Sequence, residues 1–520
     1  MRKCMKKLSG LALAVVMAML LMIPTAAADL PKESDTAAIT VTGIEEGVQV
    51  TAYRIVKPIY TAGGGYSGYE AVLAGSVADV TNPTASEIFA LAGRKAELTD
   101  TVVMTRNGDS YTATVNAGTW MVLVGGNGKS LAKVYNPIIV SAAYKDNALN
   151  SGSVSGSENW TLDGDKTVAK ATEPTVTKAI INDDGAEVKG DDKAVGDTVN
   201  YIVKSQIPSY GSEYAKIIYK LTDTLSAGLT LQQGSVVVKV DGAVVNASAD
   251  AYDVTTNTQG YVINFAQDYV RNHGQSSVEV TYSATLNDKA VSGYDADTNK
   301  IRLDYSTNFD GTTSAKEDET KHYTFGIDSA LTGQQGVTTI TKTHEIIKVD
   351  ANTYEEKTYT DQEYTEGIAS ALAGAEFTLY KADGTTVLKT AISSDTGHME
   401  FTGLDAGNYI LKETKAPSGY KLDETAHTVA ITADYNADGT LKSYTVTIDG
   451  KATSTYAATY NGKGQIQSIE KTTEGTSTFK NTKIGELPST GGIGTYLFTI
   501  AGVFIMAVAI GMLVIRRRRS

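Results

Sequence analysis

Between Asp29 and Thr490 the chain has no cysteine; its single one, Cys4, lies in the basic stretch at the N-terminus. A long exported chain of that kind has no disulfides and must be held together by other means. Histidine is scarce as well. His273, His322, His344, His398 and His427 are the whole supply, scattered and without the spacing of a metal site or a catalytic triad. Basic charge is short once the ends are set aside. Eight of the 46 Lys and Arg lie in the two terminal segments and none of the 59 Asp and Glu do, so 38 basic residues face 59 acidic ones, a net −21. That balance argues against nucleic acid and anionic lipid as partners. Trp and Phe are few, at 2 and 9, against 29 Tyr, as half-buried sheet faces rich in Tyr, Thr and Val would give.

What is present begins at the ends. Arg2, Lys3, Lys6 and Lys7 precede an apolar stretch, Leu8 to Ile23, and then Pro24-Thr25-Ala26-Ala27-Ala28. This is the layout of a secretory signal peptide, with the mature chain starting near Asp29. At the other end "ELPSTGGIGTYLF" opens an uncharged run, Thr495 to Ile515, closed by Arg516, Arg517, Arg518 and Arg519. Such a run is long enough for a transmembrane helix, with the arginines held in the cytoplasm. Pro488 keeps the motif ahead of it extended and exposed, as a processing site needs to be.

The middle is predicted to be all-β. "SVVVKVDGAVVNA" from Ser235 and "YTVTIDGKATSTY" from Tyr444 each set two strand-like runs around Asp-Gly, the signature of a tight hairpin. One helix is expected, "NPTASEIFALAGRKAEL" from Asn82, capped by Thr84 or Ser86 and ending near Gly93. Many short strands at turn spacing read as tandem immunoglobulin-like β-sandwich domains. Polar lapses at 163–174, read as a linker, and at 331–337 divide the chain. The expected organisation is a signal peptide over 1–28, domains over 29–165, 166–335 and 336–485, and a sorting tail over 486–520.

Some residues look misplaced. Alternation in "NYILKETKAPSGY" puts Glu413 on the face of Tyr409 and Leu411, where burying a carboxylate is costly. "IIKVDANT" carries Lys348 at an apolar strand start, and "STFKNTK" puts Asn481 on the face of Phe479. In the middle segment "EPTVTKAI" aligns Lys178 with Val176 and Ile180, and "YKLTDTLSAGLT" aligns Asp223 with Leu221 and Leu225.

These segments carry a resemblance. "LAGAEFTLY", "FTGLDAGNYILKETKAPSGYKL" and "FKNT" resemble a collagen-adhesin B-type domain over about 336–485, and the middle segment resembles an A-type pilin domain. "ITVTGIEEGVQVTAYRIV" to "KVYNPIIVSAAY" resembles the first domain of the same pilins, with no recognisable Lys–Asn pair of its own. Leu487-Pro488-Ser489-Thr490-Gly491 looks like the LPXTG sorting signal. Together they resemble the sortase-assembled, isopeptide-forming major pilins of Gram-positive bacteria. The resemblance implies intramolecular bonds between Lys348 and Asn481, with Glu413 as catalyst, and between Lys178 and Asn308, with Asp223 as catalyst. Asn308 sits where Thr307 replaces the usual Asn of the last-strand motif, so Asn299 is the alternative. Desolvation favours the neutral form of both an amine and a carboxylic acid, which lets the amine attack and the acid polarise the amide.

It further implies that a sortase takes the Thr490 carbonyl and passes it to a lysine of the next subunit. Lys170, just ahead of "PTVTK", holds that place although the usual Tyr-Pro-Lys reads Val168-Ala169-Lys170; Lys166 is the runner-up. The expected partners are a sortase, identical subunits, peptidoglycan, minor pilins and host surface ligands, with no cofactor and no metal. The product would be a pilus on the cell wall. A monomeric LPXTG-anchored adhesin is the competing reading and differs only in lacking the linking lysine. An enzyme is a third. Its one feature, the EF-hand-like "DYNADGTLKSYT" from Asp434, has Thr445 where a bidentate Glu is needed and reads better as a polar turn.

Overall fold

The computed structural model describes residues 30–126, 128–144, 160–333, 337–340, 342–485 and 493–517. The expected signal peptide and the Leu487–Gly491 motif lie outside them. Strands fall where Val, Thr and Tyr alternate with polar residues, and they gather around three main apolar cores.

In the first unit, strand Thr36–Thr42 pairs antiparallel with Ser110–Asn116 in one sheet, and Gln49–Tyr60 pairs with Gly118–Gly125 in the other. Gly118–Gly125, "GTWMVLVG", is buried along nearly its whole length because both of its faces are covered. Helix Ala85–Gly93 starts with the Thr84 side chain accepting from Glu87 N while Glu87 reaches back to Thr84, a capping box. Residues 163–174, expected as a linker, are built into this unit. Lys166–Val168 pairs parallel with Thr36–Thr42, and Ala171–Thr172 pairs with Val134–Tyr135.

The middle unit is a sandwich. Strands Val176–Ile181, Thr198–Gln206 and Ser277–Leu286 run in a seven-stranded sheet, and Tyr219–Leu225 and Asp297–Ser306 in a six-stranded one. In the third unit Ile346–Asp350 lies parallel to Ser477–Asn481, beside a seven-stranded sheet that includes Glu376–Lys381 and Gly407–Lys415. The third core also takes in Phe325, Ile327 and Leu331, through pairing of Phe325–Ile327 with Phe401–Leu404. The middle and third units meet at Asp192, whose carboxylate accepts from Tyr435 Oη at 2.6 Å and from Ala406 N at 2.5 Å.

Both Asp-Gly hairpins form. Val240 faces Ala243 across Asp241-Gly242, and Ile448 faces Lys451 across Asp449-Gly450. Each turn has two successive positive φ angles, 49° and 80° in the first and 50° and 76° in the second, the geometry whose twist matches the strands. A short helix that no sequence signal singled out, Asp361–Glu366, carries its own capping box from Thr360 and Glu363.

The chain closes with helix Ile493–Arg517. Among the described residues no helix is long and apolar enough to cross a membrane, so the expected span over 495–515 is not met by what the structure describes.

A Cβ at Gly450 would meet open space but inherit φ +76°. Gly450→Ala should therefore cost about 1 kcal/mol through backbone strain alone. Chemical denaturation of the ectodomain, followed by a probe in the third unit, reads this as an earlier midpoint.

Candidate functional site

Two clusters of buried polar side chains stand out, one in each of the last two units.

In the third unit, Lys348 and Asn481 come from the parallel strands Ile346–Asp350 and Ser477–Asn481, where Lys348 pairs with Phe479 and Asp350 with Asn481. Glu413 arrives from Gly407–Lys415, whose buried face is Tyr409, Leu411 and Glu413. All three side chains are out of water. The Glu413 carboxyl spans the other two: Oε1 lies 3.1 Å from Lys348 Nζ, and Oε2 accepts from Asn481 Nδ2 at 3.0 Å. The amine is off the line a hydrogen bond would need, and Asn481 Oδ1 has no donor. Oε2 also accepts from Asp423 N at 2.8 Å, and Asn481 Nδ2 donates to Lys421 O at 2.6 Å, which fixes both groups. The Phe377 ring lies 5.1 Å from Lys348 Nζ and stacks on Phe479. Burial holds the Lys348 amine below the usual lysine range, with Glu413 pulling partly the other way.

In the middle unit, Lys178 projects from one sheet, and Asp223 and Asn299 from the sheet opposite. Lys178 Nζ donates to Asp223 Oδ2 and to Tyr282 Oη. Tyr282 in turn donates to Asp223 Oδ2 at 2.7 Å and accepts from Asn299 Nδ2 at 2.8 Å. Asp223 Oδ1 and Asn299 Oδ1 are buried without partners. Burial pushes the Lys178 amine down and the Asp223 carboxyl up, each opposed by the other. Both shifts run toward the neutral amine and the neutral acid, the forms that suit nucleophilic attack by the amine.

The expected acceptor Asn308 is not at this site. The strand ends at Ser306, and beyond it Asn308 accepts from Gly126 N at 3.2 Å and from its own neighbour Phe309 N at 2.9 Å, against the first unit. Asn299 occupies the place instead. It alternates with Ile301, Leu303 and Tyr305 on the buried face, and the register sets it opposite Leu225, two residues from Asp223. Alternation in "NKIRLDY" was the signal for it. Tyr282 was not singled out by sequence, because in "VEVTYSATL" it reads as one more apolar-face residue among Val278, Val280 and Ala284.

Lys166 and Lys170 are both exposed. The Lys170 backbone is pinned, its carbonyl accepting from Asn136 N at 3.1 Å while the side chain is exposed. Two of the five histidines meet: the His344 and His398 rings are 4.8 Å apart. They adjoin a third buried cluster, in which Asp328 accepts from Ile346 N and Met399 N and Glu345 from Tyr456 and Thr343. That cluster has neither lysine nor amide and its carboxylates are saturated. Burial lowers His344 to about 4, leaving it neutral at pH 7. Among the described residues no group of His, Cys, Asp and Glu could hold a metal. In the EF-hand-like loop, Asp438 accepts from its own Thr440, closing a hairpin turn.

Comparison with known families covers most of the chain. Residues 34–171 match a T6 antigen Ig-like domain, and 195–309 a Gram-positive pilin backbone subunit 2, Cna-B-like domain. Residues 357–447 match a prealbumin-like fold domain and 480–520 the LPXTG cell wall anchor motif. The trypsin-resistant surface T6 protein of Streptococcus pyogenes serotype M6 is 28% identical over 549 residues, covering 94% of this chain and 96% of that one. Together these matches support an LPXTG-anchored backbone pilin of Gram-positive bacteria. This pilin is a structural subunit of a surface pilus fixed to the cell wall. An LPXTG anchor on a pilin backbone implies a sortase, further pilin subunits and the wall as its partners. The solved T6 backbone pilin of the same serotype, described as a modular three-domain structure, shares the fold with a TM-score of 0.55 at 22% identity, over 88% of this chain and 100% of that one. The Cna-B-like description falls on the middle unit, where the sequence resembled an A-type pilin domain, and the prealbumin-like one on the unit that resembled a B-type domain.

Asn308→Ala should strip buried Gly126 N and Phe309 N of their acceptor and cost about 1–3 kcal/mol. Thermal unfolding of the ectodomain should register that loss at the junction of the first and middle units. The Lys178 cluster should be untouched.

Proposed function

We propose that this pilin locks its last two units with internal isopeptide bonds and is joined to its neighbours by a sortase through Thr490. The observation that carries the reading is Glu413, whose two oxygens reach Lys348 and Asn481 in a water-free core. A neutral Lys348 amine attacks Asn481 Cγ, the Nζ–Cγ bond forms, the Cγ–Nδ2 bond breaks, and the amine's proton leaves with ammonia by way of Glu413. Lys178 and Asn299 react in the same sense with Asp223. Each bond closes a loop of more than a hundred residues, a constraint worth about 4–5 kcal/mol by analogy with a disulfide, and reduction cannot undo it. The three cores support three units, with 162–172 counted with the first and the stretch from Phe325 with the third.

Polymerisation follows from the tail. A sortase cleaves after Thr490 and transfers its carbonyl to Lys170 of the next subunit, with Lys166 as the second choice. Lys170 suits the task because its side chain is solvated while its backbone is held at a fixed place. An adhesive role, with minor pilins and host surface ligands as partners, rests on the family alone.

Intact mass of the secreted ectodomain should fall short of the sequence by one ammonia per bond. Glu413→Ala should restore one ammonia, and with it trypsin sensitivity in the third unit. A wild-type third unit at full mass would refute the chemistry. In the native host, Lys170→Ala should abolish the high-mass ladder in boiled wall extracts while leaving anchored monomer. An intact ladder would move the assignment to Lys166.

A further inference from the structure

The two sites hold their acceptor amides differently. In the third unit one carboxyl touches both reacting nitrogens directly. In the middle unit the acid is an aspartate, one methylene shorter. Among the described contacts it touches Lys178 and Tyr282 and reaches Asn299 only through the Tyr282 hydroxyl. That one oxygen has the attacking amine, the acid and the leaving amide nitrogen all within hydrogen-bond distance.

We propose that Tyr282 is a catalytic residue of the middle unit, carrying the proton from the attacking Lys178 amine to the departing Asn299 amide nitrogen. The inference rests on the isopeptide reading of this site. Burial holds the phenol far above its ordinary range, and the neighbouring Asp223 charge adds to that. A free phenolate is therefore out of reach, and the hydroxyl must accept one proton as it gives up another. As the Nζ–Cγ bond forms, Tyr282 Oη takes a proton from Nζ and its own proton passes to Nδ2. The Cγ–Nδ2 bond then breaks and ammonia leaves. The tyrosine ends as it began, and lysine amine plus carboxamide become secondary amide plus ammonia, so the atoms balance. Asp223 orients the hydroxyl and takes up transient charge on the amine.

The ring is held for the purpose. It stacks on Tyr201 at 5.1 Å and 19°, and meets Tyr261 edge-on at 5.0 Å and 80°. A phenylalanine would keep both contacts and lose only the oxygen. Tyr261 supplies the control, because its own hydroxyl is buried without a partner and touches neither nitrogen.

The test uses the full ectodomain, refolded from denaturant-solubilised protein made as short pulses so that linking is followed from its start. Peptide mapping by mass spectrometry reads the Lys178–Asn299 and Lys348–Asn481 links separately over time. Tyr282→Phe should slow the middle link at least tenfold, leave the third-unit link at its wild-type rate, and retain the wild-type circular dichroism spectrum. Tyr261→Phe should link at the wild-type rate. Wild-type linking in Tyr282→Phe would overturn the proposal, and so would equal slowing in Tyr261→Phe, which would make the effect one of packing. Absence of the Lys178–Asn299 link from the wild type would overturn the isopeptide reading itself, an outcome distinct from the other two.

Discussion

A lysine amine taken out of water is the constraint around which the last two units are arranged. A buried charge is costly unless it is paired, and leaving one partner uncompensated is costlier still. Lys178 and Lys348 are each fully buried. Each is met by a carboxyl group, and each carboxyl group has an amide within reach, directly or through one hydroxyl. A core built only for packing would gain as much from apolar side chains at all of these positions. The polar cluster at Asp328 and Glu345 makes the contrast, since its carboxylates are met by backbone amides, hydroxyls and the His398 ring and have no lysine amine to oppose.

The two sites sit differently in the fold, with different mechanical consequences. Lys348 and Asn481 lie on adjacent parallel strands near the two ends of the third unit, so a bond between them closes that unit like a clasp. Lys178 and Asn299 face each other from opposite sheets, so a bond there ties the sandwich through its core. A chain without cysteine in its exported part thus has candidate covalent ties at two points where tension along a fibre would separate strands. The junctions between units are instead non-covalent, with polar contacts at Asp192 with Tyr435 and at Asn308 with Gly126 beside apolar ones, Val134 in the middle core and Tyr294 in the third.

Much of this was legible in alternation alone. Period-two patterning put Lys178, Asp223, Glu413 and Asn481 on buried faces, an apolar strand start marked Lys348, and the structure brings Lys178 to Asp223 and Lys348 to Glu413 and Asn481. The Asp-Gly hairpins and the Thr84 cap were equally local and equally readable. Asn308 misled because the family pattern places its Asn near the end of the last strand, whereas here the strand stops at Ser306 and Asn299 holds the buried-face position opposite Leu225. Residues 163–174 misled because "DGDKTVAKATEP" is polar, and its strands are stabilised by partners such as Thr36–Thr42 more than a hundred residues away. Which core claims Phe325 and Ile327 is likewise decided by a distant partner, Phe401–Leu404. Tyr282 was hidden for another reason: a tyrosine's apolar ring and its hydroxyl give one letter, and only the neighbours say which is in use.

The most direct test of the account is a high-resolution crystal structure of the ectodomain expressed in full and left to mature. The account predicts continuous density from Lys348 Nζ to Asn481 Cγ and from Lys178 Nζ to Asn299 Cγ, each a planar amide with a C–N bond of about 1.33 Å. Separate amine and carboxamide groups at both sites, at van der Waals distance, would contradict it.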